Sequence, residues 1–177
     1  MKVALAIFFF AASALSQQKV RFGQPTANAS PACGPAQASF KVKVDDTQHT
    51  LAPPEAGKAR IYFIHEAGIP FTRLTLGYPT SKFAIDGAWV GADHSDSYFA
   101  VSVDPGEHHL CATLQSSLVD ERVELAHFVA EAGKVYYYRT RLVLSRSVEL
   151  LELELIDSDQ GRYLVGSFPM STSKLKK

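Results

Sequence analysis

Short runs of β-branched and aromatic residues follow one another from Phe40 to Ile156, each closed by a turn rich in glycine, proline or aspartate. Runs of this length bury their apolar faces only when strands stack in sheets, and their spacing is the signature of an all-β sandwich. In the stretch from Phe40 to Asp45, Phe40, Val42 and Val44 alternate with Lys41, Lys43 and Asp45, the period of a half-buried strand. A polar loop containing Pro53, Pro54 and Gly57 leads to Ala59-Arg60-Ile61-Tyr62-Phe63-Ile64-His65. That run is apolar on both faces and rich in β-formers, which predicts a central strand.

Turn chemistry sets the next expectations. Lys82 to Ile85 and Ala88 to Gly91 flank Asp86-Gly87, a dipeptide suited to a type I′ turn because both central residues need positive φ. A hairpin is predicted there. Asp104-Pro105-Gly106 separates Ser97–Val103 from Glu107–Thr113, and reads as the type II turn of a second hairpin. Strands are further expected over Val123–Ala130, Val135–Val143 and Ser147–Ile156. In the last of these the Leu150-Leu151 doublet breaks strict alternation, and a β-bulge would restore it.

Asp157-Ser158-Asp159 suits the cap of a short helix from Gln160 to about Ser167, with Tyr163, Leu164 and Phe168 facing the sheet and Gly161 weakening it. The expected fold class is an all-β, antiparallel β-sandwich with a short C-terminal helix. Residues 40–170 form the single domain, and residues 171–177 a flexible tail.

Upstream, Lys2 precedes an apolar run from Val3 to Ala12, and small residues follow at Ala14 and Ser16. This is the three-part pattern of a secretory signal peptide over residues 1–16, with cleavage expected after Ser16. About a dozen apolar residues fall short of the roughly 20 that span a hydrocarbon core. A lipid anchor would need a cysteine directly after this run, whereas the first, Cys33, lies well downstream. No other segment is long and apolar enough to span a bilayer, so a soluble chain in the periplasm, at the cell surface or outside the cell is expected. Residues 17–39 carry Gly23, Pro25, Pro31, Gly34 and Pro35 without apolar periodicity, and read as an extended N-terminal arm. The triplet Asn28-Ala29-Ser30 matches a glycosylation acceptor but is common by chance, and no role is assigned to it.

Export gives the two cysteines a meaning. In an oxidising compartment Cys33 and Cys111 are expected to pair, tying the arm to a core strand; the alternative is two unpaired thiols, one of them buried. Closing a loop of about 80 residues would stabilise the fold by roughly 4 kcal/mol. Eighteen Lys and Arg balance eighteen Asp and Glu, so there is no basic field to draw nucleic acid. Lys174, Lys176 and Lys177 read as a solvated terminus.

Five segments in order carry a resemblance. They are Gly57–Phe63, Ile85–Gly91, Ser97–Val101, Asp104–His108 and Ala132–Tyr137. Together they resemble the bacterial exported domain-of-unknown-function family 2846, over about residues 57–138. The resemblance implies an exported or envelope-associated β-sandwich, often lipid-anchored in relatives, with no assigned reaction and no catalytic residues to carry over. The missing lipidation cysteine sets this chain apart.

Two classes of function remain. A small hydrolase or metal-binding protein would draw on His65, His94, His108 or His127, yet no ligand-spacing motif joins them, and His108 and His109 point to opposite faces of one strand. Asp93-His94-Ser95-Asp96 holds the residue types of a hydrolase, but neighbours in one loop cannot form a triad, and a solvated hairpin loop is expected. No Gly-x-Ser-x-Gly elbow, phosphate-cradling loop or dinucleotide fingerprint occurs, so no cofactor is expected. The other class is a noncatalytic structural or interaction module of the envelope. Its candidate surface is Trp89 with Tyr136, Tyr137 and Tyr138, facing an envelope protein or a glycan. Against that stands a covered row, one face under the second sheet and the other under the terminal helix or the arm.

Overall fold

The computed structural model describes residues 32–47, 51–67, 79–115, 123–145 and 148–176, without the side chains of residues 144–150. The expected signal peptide and residues 17–31 of the arm lie outside the described residues. The strands are β1 (Phe40–Asp45), β2 (Ala59–Glu66), β3 (Thr80–Ile85), β4 (Ala88–His94) and β5 (Ser97–Val103). They continue with β6 (Gly106–Leu114), β7 (Val123–Ala130), β8 (Val135–Ser145), β9 (Val148–Ile156) and β10 (Met170–Leu175). The helix α1 (Ser158–Ser167) lies between β9 and β10. A six-stranded sheet runs β1-β10-β5-β2-β8-β9 and a four-stranded sheet runs β4-β3-β6-β7. Pairing is mostly antiparallel, with β2 parallel to β8 and β10 parallel to β5. Among the described residues no helix is long and apolar enough to cross a membrane.

The sheets face each other across a core built on Ile61, Phe63, Phe83, Phe99, Leu110 and Tyr138. Because successive strand residues point to opposite sides, β2 sends Ile61, Phe63 and His65 inward and Tyr62 and Ile64 outward. The outward residues meet Tyr98, Tyr137, Leu164 and Val165 beneath α1. On the far side of the four-stranded sheet, Ala32 and Cys33 of the arm pack on Ala84, Cys111 and Val123. The molecule is therefore layered as helix, sheet, sheet and arm, and β2 is the doubly covered central strand that its composition predicted.

The Asp86-Gly87 hairpin forms as expected, with φ of 50° and 83° at the two turn residues. The second hairpin does not. Gly106 takes a positive φ of 138°, but β5 and β6 belong to different sheets, so Asp104-Pro105-Gly106 carries the chain across the sandwich. A turn's residues prescribe its dihedrals, and whether the returning strand pairs with its predecessor is decided by the faces it must bury. The expected bulge at Leu150-Leu151 is also absent, since the β8–β9 ladder runs unbroken from Tyr137↔Ile156 to Ser145↔Val148. Leu151 and Leu153 pack on the inner core while Glu152 and Glu154 pair outward with Arg141 and Arg139, which keeps strict alternation. The register shift lies instead between Phe83 and Ala84, opposite β4.

Asp157 caps α1, its Oδ1 accepting from the N–H groups of Asp159 and Gln160 at 2.9 Å each. The helix buries Gly161, Leu164 and Val165, whereas Tyr163, expected against the sheet, is 73% exposed. Gly161 is needed for close approach, since a Cβ there would run into the Tyr137 ring. The tail is likewise corrected. Met170–Leu175 forms β10, pairing with β1 along its whole length, and Ser171 Oγ meets Ser97 Oγ at 2.7 Å.

Candidate functional site

The tyrosines of the candidate aromatic surface form the covered row that stood against it. Tyr138 joins the intersheet core and Tyr137 stacks on Tyr62 with centroids 5.3 Å apart, each under 5% exposed. Tyr136 is half-buried, its hydroxyl donating to the Val129 carbonyl and accepting from the Glu131 N–H, both at 3.0 Å. Trp89 lies under the arm, donating its Nε1–H to the Pro35 carbonyl at 2.7 Å. The Lys82 ammonium sits 4.5 Å from the Trp89 ring and donates to the carbonyls of Ala36 and Ala38. Consecutive tyrosines on a central strand must face both ways, and here the second sheet covers one side and α1 the other. A groove of about 310 Å³ opens beside Tyr62, Tyr137, Pro53 and Arg162. Both stacked tyrosines that line it are under 5% exposed.

The disulfide is present. Cys33 and Cys111 are bonded with Cα atoms 5.1 Å apart, and the Ala32 carbonyl accepts from the Gly87 N–H of the β3–β4 turn at 3.1 Å. Both cysteines are buried. The arm thus closes the outer face of the four-stranded sheet over Ala84 and Val123.

The described histidines fall into separate groups. His65, at the inner end of β2, is 0% exposed, with Nδ1 3.4 Å from Oδ1 of the equally buried Asp93 and Nε2 3.5 Å from Ser95 Oγ. This brings Asp, His and Ser into one row, with the histidine supplied from a distant strand. The Asp93–Asp96 segment is accordingly not a solvated hairpin loop. Asp93 and Ser95 are buried, β4 and β5 lie in different sheets, and Asp96 is held at φ 57° by hydrogen bonds to the His65 carbonyl and the Ala67 N–H. The detectable signal was parity, because His65 shares its face of β2 with Ile61 and Phe63.

Electrostatics separates this row from a working triad, in which an ionised aspartate orients a histidine able to accept a proton near neutrality. Burial pulls His65 down to about 3, with His94 adding a smaller push in the same direction. Burial also holds Asp93 well above the ordinary carboxylate range. Neither Asp93 oxygen nor Ser81 Oγ has a hydrogen-bond partner among the described residues. The backbone donors nearest Ser95 are already engaged, Ser95 N–H by the Pro79 carbonyl at 3.1 Å and Asp96 N–H by the His65 carbonyl at 2.6 Å. An oxyanion needs such donors aimed at it and free.

His94 is half-buried, its Nδ1 2.9 Å from Thr80 Oγ1, and burial lowers its pKa. His108 joins the β3–β4 turn, with Nδ1 2.6 Å from Asp86 Oδ2 and Nε2 2.8 Å from the Asp104 carbonyl. His109 and His127 face each other across β6 and β7 with ring centroids 5.0 Å apart. Among the described residues no three His, Cys, Asp or Glu side chains gather into a group able to hold a metal ion.

No family model matches the chain, and no match is found among curated proteins or solved structures.

Proposed function

We propose that the chain is an exported, noncatalytic module of the bacterial envelope, acting by structure or by contact with a partner. The observation that carries the reading is the Cys33–Cys111 disulfide, a bond of oxidising compartments, which closes a span of 78 residues and seals the arm over a sheet. The signal-peptide pattern of residues 1–16 and the ordered resemblance to family 2846 point to the same compartment. The noncatalytic part rests on the burial of Asp93, His65 and Ser95 and on the engagement of the nearby backbone donors.

Expression of the full chain in a bacterium, followed by fractionation and thiol alkylation, tests this. The expected product is outside the cytoplasm, shortened by cleavage after Ser16, with both cysteines protected until a reductant is added. Cytoplasmic protein with two free thiols would sink the export reading. The alternative, a small hydrolase, is favoured by the Asp93–His65–Ser95 row alone, and labelling of Ser95 by a fluorophosphonate would establish it in place of the noncatalytic reading.

A further inference from the structure

The outer face of the four-stranded sheet is covered by the arm at Cys111 and is open two residues earlier along β6. There His109 stands directly opposite His127 of β7, and both are exposed. The kind of pairing follows from the backbone. His109 N–H donates to Asp86 Oδ1 at 2.8 Å and its carbonyl accepts from Asp86 N–H at 2.9 Å, so both main-chain groups point away from β7. His109 and His127 therefore form a non-hydrogen-bonded antiparallel pair, the class that brings Cα atoms to about 4.5 Å and side chains closest together. Their rings are 5.0 Å apart and tilted by 51°, a separation that side-chain rotation can close to bring one nitrogen of each to a shared ion.

The support is rigid. Cys111, two residues along on the same face of β6, is bonded to the arm, and Asp86 holds the His109 backbone from the other side. A backbone held in this way loses little freedom when the side chains it carries take a ligand.

We propose that His109 and His127 form a two-imidazole surface site for a divalent late transition metal, Cu(II) before Ni(II) or Zn(II). Imidazole nitrogen suits these ions, and the Irving–Williams order places Cu(II) highest for an unstrained site. With no third side-chain ligand gathered there among the described residues, the remaining coordination positions fall to water or to a ligand carried by another molecule. His108 takes no part, because its ring nitrogens are turned to Asp86 and Asp104.

The test is titration of the oxidised, untagged protein with Cu(II) at neutral pH, followed by electron paramagnetic resonance and calorimetry. One equivalent is expected, with a spectrum showing two imidazole nitrogens. His109→Gln and His127→Gln should each weaken binding at least tenfold and lose the two-nitrogen pattern, while His108→Gln leaves both unchanged. Near-UV circular dichroism verifies that the variants are folded. Independently of any variant, paramagnetic broadening in the wild-type NMR spectrum should begin at the His109 and His127 rings. Broadening centred elsewhere, or undiminished binding in the His109→Gln/His127→Gln double variant, would overturn the proposal.

Discussion

Two histidine–aspartate pairs in this molecule use the same residue types and reach opposite charge states. His65 and Asp93 meet at 3.4 Å with both side chains 0% exposed; His108 and Asp86 meet at 2.6 Å with 14% and 46% exposed. In the buried pair desolvation decides, lowering His65 and raising Asp93, so that the charged forms are disfavoured on both sides. In the exposed pair the same desolvation opposes ionisation but loses. His108 is raised because the Asp104 carbonyl and the Asp86 carboxylate outweigh its burial. Asp86 is lowered because the His109 N–H and the His108 ring outweigh its own. Proximity of a histidine to an aspartate therefore says little until solvent access and the remaining hydrogen bonds are known.

The largest expected effect would break this comparison at its buried end. The unfolded chain takes up a proton at His65 near 6.5, whereas the folded chain resists it until about 3. Stability should therefore fall as pH drops through that window, by on the order of 5 kcal/mol for this group. Urea unfolding from pH 7 to 3 measures the slope, and His65→Gln should flatten it; equal slopes in both proteins would mean the buried histidine is not held neutral.

Next in size is the staple on the exposed pair's sheet. Replacing Cys33 and Cys111 together by alanine should cost about 4.5 kcal/mol in the chain-entropy model, read as a lower denaturation midpoint. His108, whose partners Asp86 and Asp104 are outside the arm, should keep its raised pKa in that variant. Loss of the shift by NMR titration would show that the arm, and not the turn, sets it.

Asp93→Asn sharpens the contrast from the carboxylate side. A raised carboxyl stabilises the folded state less and less as pH climbs above its unfolded value of 3.8 and toward its folded value. The asparagine variant should lack that decline above pH 4, seen as an alkaline limb flatter than the wild type's.

The smallest effect belongs to the exposed pair. A raised histidine contributes fully below 6.5 and loses its contribution as pH rises through its folded value, the opposite slope to His65. Solvent screening limits the size, so His108→Gln should cost under about 1 kcal/mol at pH 5 and less at pH 8. A larger penalty would put the pair among the main supports of the hairpin.

Much of this molecule follows from local chemistry. Alternation in the stretch from Phe40 to Asp45, the doubly apolar Ile61–Ile64, the positive-φ pair Asp86-Gly87 and the capping Asp157 each act within a few residues. Such features are legible because dihedral preference and side-chain period do not depend on distant partners. The disulfide was legible for another reason, since two cysteines leave one intramolecular pairing.

Assembly across the sandwich was a different matter. Asp104-Pro105-Gly106 has the turn chemistry of a hairpin, yet β5 and β6 enter different sheets because each covers a different side of the core. Tyr136–Tyr138 suggested a covered row more than a surface, but which elements cover them was decided only by α1 and the second sheet. The serines of the C-terminal segment showed no apolar period, and became a strand only because β1 and β5 offered backbone partners on either side. His65 and Asp93 lie 28 residues apart and touch only because β2 and β4 end at the same point of the core. Long-range burial chose these partners, and with them the sign of every charge shift in the pair, so no window along the chain contained the answer.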